Sequence, residues 1–119
     1  MRYVVLLYGD ERVWDGLDEA GMQDVVDRHD RFSAVLRDHP ALALLGGEAL
    51  QTSDTATTVR HSPEGRRLLT DGPFAEAVEQ LGGFYLVDSP DLDTLLDAVD
   101  ELPLYYAVEI RPVDENLPG

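Results

Sequence analysis

Apolar residues recur along this chain with two different periods, and the segments they mark alternate. Residues 3–8 form an unbroken apolar run rich in Val and Leu. The run is too short for an ordinary helix, so it predicts a strand covered on both faces and central in its sheet. From Met22 the positions Met22, Val25, Val26, His29, Phe32, Val35 and Leu36 repeat at helical spacing until Pro40 stops them, which predicts a helix with Asp18 as its cap. Residues 43–50 read as a second strand interrupted at Gly46-Gly47, where a bulge or a close backbone approach would explain the missing side chains. Residues 57–61 and 66–70 flank Ser62-Pro63-Glu64-Gly65, with Pro and Gly at the second and fourth places of a type I turn, and so predict a hairpin. A short helical turn is expected over 75–80 and a strand over 83–87. Ser89-Pro90 opens a helix with Leu92, Leu95, Leu96 and Val99 on one face, ended at Leu102-Pro103. Over 105–113, Tyr106, Val108 and Ile110 alternate with Tyr105, Ala107, Glu109 and Arg111, the period of a strand with one packed face.

The order is β-α-β, an inserted hairpin, then β-α-β, an α+β arrangement matching the ferredoxin-like split βαβ. At 119 residues the chain suits a single domain. Residues 1–113 are expected to form it, with 114–119 as a loose tail lacking periodicity. The strands carry more β-branched and aromatic residues than two helices on one face can cover, so a homodimer formed through the sheet is expected.

Charge narrows the partners. The chain holds 24 Asp and Glu against 9 basic residues, all Arg, for a net charge of -15. Nucleic acid and anionic membrane would be repelled, whereas a basic protein partner would not. The absence of Lys fits either biased genome composition or an acidic surface suited to high salt. There is no Cys, which excludes disulfides, thiolate metal sites and a cysteine nucleophile. No run approaches the roughly 20 apolar residues of a membrane span, and the opening run is too short for a secretory signal, so a cytoplasmic protein is expected. The three histidines show no metal-ligand pairing, and Gly9 stands alone before Asp10-Glu11 rather than in a phosphate-binding loop. No metal or cofactor is expected.

Candidate chemistry concentrates in Thr70-Asp71-Gly72-Pro73-Phe74-Ala75-Glu76. Gly72 permits unusual backbone angles, Pro73 fixes its own φ, and Asp71 is positioned for an Asx-turn; Phe74 is expected to plug the turn. His29 lies on the apolar stripe of the first helix and should point at the sheet, while His39 and His61 read as surface residues. Tyr8 at the end of the first strand, Glu48 after the glycine pair, and the strand cations Arg60 and Arg111 are the candidate substrate-binding residues. A small-molecule ligand would meet these groups in a cleft between helix and sheet.

The Asp71-Gly72-Pro73-Phe74 run resembles the signature of the YCII-related family in its DGPF-domain branch. The likeness extends through Leu6-Leu7-Tyr8-Gly9-Asp10-Glu11, His29, Gly47-Glu48-Ala49-Leu50, Thr57-Thr58-Val59-Arg60, Leu81-Gly82-Gly83-Phe84 and Val108-Glu109-Ile110-Arg111-Pro112-Val113. Where the family commonly reads Thr-Lys-Glu, this chain has Ala77-Val78-Glu79, so a positive charge is lost beside the turn. The resemblance implies a small ferredoxin-like protein that dimerises in the manner of an α/β-barrel. It also implies a His/Asp pair, here His29 and Asp71, transferring protons in an elimination or isomerisation. The alternative it implies is a non-catalytic ligand-binding or regulatory module linked to extracytoplasmic-function sigma factors.

Overall fold

The computed structural model of the chain describes residues 1–118; Gly119, the last residue of the expected tail, lies outside them. Six strands and three helices follow in the order β1 (Arg2–Asp10), α1 (Glu11–Asp15), α2 (Glu19–Asp38), β2 (Ala43–Ala49), β3 (Thr57–His61), β4 (Arg67–Asp71), β5 (Glu79–Asp88), α3 (Leu92–Val99) and β6 (Ala107–Pro112). The main sheet has the order β2-β5-β1-β6 with every neighbouring pair antiparallel. The fold is therefore α+β, and the apolar run predicted to be central is central. No helix among the described residues is long and apolar enough to cross a membrane.

Strand alternation decides what each face of this sheet carries. Tyr3, Val5 and Leu7 are buried beneath α2 and α3, joined by Val87 of β5 and packed against Phe32, Leu36, Leu95 and Ala98. Their cross-strand partners Tyr85, Val108 and Ile110 lie on the same face. The opposite face is formed by Val4, Leu6 and Tyr8 with their partners Phe84, Leu86, Glu109 and Arg111. No helix covers it, and its apolar members are only half-buried.

Helix α2 starts where expected: the Asp18 carboxylate accepts from the Gly21 backbone N–H at 2.7 Å, satisfying one of the donors that a helix start leaves free. Its buried residues Val25, Phe32 and Leu36 follow the predicted stripe, with His29 between them. The hairpin is β3–β4, and neither strand joins the main sheet. Its turn closes through Gly65 N–H to Ser62 C=O at 2.8 Å, with Gly65 at φ 84°, a conformation that favours glycine.

Several expectations are corrected. Residues 75–80 form no helical turn; the chain runs through bends into β5, with the Gln80 amide donating to the carbonyls of Ala75 and Ala77. Phe74 plugs nothing, for it is 78 % exposed. In α3, Leu95 and Ala98 are buried and Val99 packs beside them, while Leu92 and Leu96 are exposed, so the inward stripe runs through 95, 98 and 99 rather than through 92 and 96. Helix α1 has no apolar period to announce it. It is started by Asp10, which accepts from Arg12 N–H at 2.9 Å.

The glycine break in β2 is both things expected of it. The register shifts between Leu44 and Gly46, and a Cβ on Gly47 would sit 2.6 Å from the Phe84 carbonyl oxygen and 2.8 Å from Tyr85 Cδ1. Gly47→Ala must therefore push β2 off β5. A loss of about 1–3 kcal/mol is expected in chemical denaturation, and an unchanged midpoint would show that the two backbones are not in this contact.

Candidate functional site

The covered face of the sheet opens into a cleft of about 480 Å³ between α2 and β5, closed at one end by α1 and at another by Tyr105 and Tyr106. His29 occupies its inner wall for a reason visible in the helix. It lies four residues after Val25 and three before Phe32, both buried, so the helical period turns it to the sheet. Its ring nitrogens meet two tyrosines: Nδ1 is 2.6 Å from the Tyr85 hydroxyl and Nε2 is 3.2 Å from the Tyr106 hydroxyl. Tyr85 is also packed on Phe32, with ring centroids 4.7 Å apart, and Tyr106 packs on Tyr105 at 4.6 Å. The missing side chain of Gly9 makes room for this pair, since a Cβ there would lie 3.0 Å from Tyr105.

Electrostatics keep the cluster uncharged. Burial lowers the His29 pKa below its ordinary 6.5, opposed in part by the carboxylate of Asp30, because removing water penalises the imidazolium. Burial likewise pushes the Tyr85 hydroxyl up to about 12 and raises Tyr105 and Tyr106. At neutral pH the imidazole thus has one N–H and one free lone pair. The imidazole can therefore accept from one tyrosine hydroxyl and donate to the other, the tautomer setting which. A ligand group that replaces the tyrosine hydroxyl at the unprotonated ring nitrogen would meet a proton acceptor.

The lining includes the carboxylates Asp10, Glu11, Asp30 and Glu48 but no arginine. Asp10 is neutralised by Arg12 at 2.8 Å. Glu11 accepts from the Ser53 backbone N–H at 2.8 Å and from the Ser53 hydroxyl, which ties α1 to the 3-10 turn Ser53–Thr55 across the cleft's end.

The residues singled out from the sequence fall into three places. His29 and Glu48 border the cleft. Tyr8 and Arg111 lie on the uncovered face of the sheet, where the Tyr8 hydroxyl donates to Glu109 at 3.3 Å and Arg111 donates to the same carboxylate at 2.5 Å. Burial, and then Glu109, raise the Tyr8 pKa, while Arg111 holds Glu109 below the usual carboxylate range. Arg60 and Asp71 are on the hairpin, where Arg60 donates to the Phe74 carbonyl at 3.0 Å.

Asp71 does not contact His29 within the chain and is not part of the cleft wall. Its backbone is fixed: Gly72 N–H donates to Ala56 at 2.7 Å, Thr58 donates to the Gly72 carbonyl at 2.8 Å, and Gly72 has φ 106°. Its exposed carboxylate makes no Asx-turn bond among the described residues. Within one chain the His29 pKa therefore answers to burial and Asp30, not to Asp71. Among the described residues, no three metal-binding side chains converge.

Tyr85 was not anticipated as a partner of His29. The signal was available: strand alternation places Tyr85 on the same face as Val87 and opposite Val5, and a covered tyrosine needs a partner for its hydroxyl. Comparison with known proteins gives two findings. The profile of the YCII-related domain matches residues 1–115. An uncharacterised protein of Rhizobium meliloti (strain 1021) is 40 % identical over 128 aligned residues, which take in 100 % of this chain and 97 % of the relative.

Proposed function

The chain belongs to the YCII-related domain family, and on that premise we propose that it binds a small, largely apolar, uncharged molecule in the α2–β5 cleft and moves a proton there through His29. The observation that carries this reading is a neutral imidazole held between two tyrosine hydroxyls on the inner wall of a cleft whose lining is mainly apolar, with carboxylates as its charged groups. Neutral imidazole is the form that accepts a proton near pH 7. The reaction class is proton abstraction followed by elimination or isomerisation. An anionic ligand is disfavoured because carboxylates and no arginine line the cleft.

The strand order and the separate hairpin support a ferredoxin-like split βαβ with an insertion, and the Asp71-Gly72-Pro73-Phe74 run supports a place in the DGPF branch. The uncovered apolar sheet face supports a two-fold dimer that closes two sheets on each other in barrel fashion. Sedimentation at micromolar concentration should show a dimer, and a monomer would remove that part of the reading.

The ligand reading is tested with 2-naphthol, naphthalene and 2-naphthoate, three probes of similar shape and different polarity. In NMR titrations the naphthol should bind at least about tenfold more tightly than the naphthoate, with the shifts centred on His29, Tyr85 and Tyr106. Equal binding of the naphthoate, or shifts centred elsewhere, would overturn it.

A further inference from the structure

The β3–β4 hairpin is the part of the molecule that does not make sense in one chain. A two-stranded ribbon on its own is marginally stable in water, yet this one pairs with nothing else in the sheet. Register places Thr57 and Asp71, Val59 and Leu69, and His61 and Arg67 opposite one another on one face. On that face Val59 is 50 % exposed and Leu69 60 %. Leu68, on the opposite face, is 48 % exposed, so neither face of the ribbon is covered, and the more exposed apolar pair lies on the face that carries Asp71.

Area and shape say how much is missing. The radius of gyration is 16.5 Å, where a compact chain of this length has about 13.5 Å. The accessible surface is 8189 Å², against about 6,400 Å² for a monomer of this mass. The excess is about twice the ~800 Å² that each partner of a standard interface buries.

Charge says what supplies the cover. Residues 57–71 carry Arg60, Arg66 and Arg67 against Glu64 and Asp71, a net +1, so the remainder of the chain holds −16 of the total −15. None of these three arginines forms an ion pair among the described residues. A basic arm on an acidic body attracts the body of a second identical chain, and two-fold symmetry makes the exchange reciprocal. The matching surface borders the cleft: Val26 of α2 is 50 % exposed and lines the mouth, beside the exposed Asp27 and Asp30.

We propose that the hairpin of each copy crosses the dimer and lays its Val59–Leu69 face on the mouth of the other copy's His29 cleft, bringing Asp71 to it, so that each site is built from two chains. The proposal rests on the dimeric reading above and extends it: Asp71 becomes a positioning residue supplied in trans. Because the chain has no cysteine, crosslinking can test it cleanly. In the Leu69→Cys/Val26→Cys double variant, a short bis-maleimide should give a covalent dimer. Each single variant should give none, and adding Arg60→Glu, Arg66→Glu and Arg67→Glu should abolish the link and weaken the dimer at least about tenfold.

A link formed within one chain would mean that the arm folds back, and would overturn the exchange. Absence of any link in protein that sediments as a dimer would overturn it while leaving the dimer intact; monomeric protein would overturn both, with the cleft still tested by naphthol. Asp71→Asn should move the His29 ring resonances in the dimer but not in the arginine-reversed protein. Unchanged His29 signals in both would remove Asp71 from the site.

Discussion

Phe32→Ala is expected to cost about 3–5 kcal/mol of folding stability, a large share of the roughly 5–15 kcal/mol that holds a domain of this size together. Phe32 is fully buried where α2 meets the sheet, among Val5, Leu36 and Val87. Its ring supports Tyr85, and Tyr85 supports His29. Truncation removes the aromatic surface and opens a cavity that a helix anchored at both ends cannot close. The same change frees Tyr85 to sag into the vacated volume, so the short contact with His29 should lengthen. Denaturant unfolding measures the first effect and the His29 ring resonances the second. A loss below about 1 kcal/mol would mean that Phe32 is not the centre of the α2–sheet contact.

What the sequence made legible follows from how far apart the interacting residues are. Local periods were enough for α2, for its Asp18 cap and for the inward direction of His29, because each depends on residues within a few turns. The hairpin turn was legible for the same reason, from Pro63 and Gly65. Pairing across the sheet was harder: the partners of His29 come from Tyr85 and Tyr106, and only the combined alternation of three strands places them on one face. Helix α1 was missed because five residues started by a side-chain cap carry no period. Phe74 and Asp71 were read as parts of a self-contained turn. Only the backbone half of that reading holds, with Gly72 at positive φ, while both side chains point away from the rest of their own chain into solvent. A turn's sequence encodes its backbone, but what its side chains meet depends on surfaces the local sequence does not contain.

The pH dependence of His29 separates a site made by one chain from a site made by two. Facing the imidazole within the chain are Tyr85 from β5, Tyr106 ahead of β6, and Asp30 beside it on α2. Burial is the larger influence and places the folded pKa below the ordinary 6.5. Between those two values the unfolded chain takes up a proton that the folded chain refuses. Acidification through 6.5 therefore removes stability, until the folded pKa is passed. The arginine-reversed protein, diluted until it is monomeric, should show this loss as pH falls from neutral through 6.5, relative to the same protein carrying His29→Gln. In the dimer, Asp71 delivered by the other copy opposes the effect of burial, because a nearby carboxylate favours the imidazolium. The His29 pKa measured by NMR should then be higher in the wild-type dimer than in the monomer, and the acid loss smaller. If the dimer's value rises past 6.5 the sign reverses: the pair then stabilises the fold at acid pH, and its contribution fades as pH climbs through the folded pKa. Asp71→Asn should return the dimer to the monomer's titration. Identical His29 titration in monomer, dimer and Asp71→Asn would mean that the imidazole answers only to burial and Asp30, and that the site is complete within one chain.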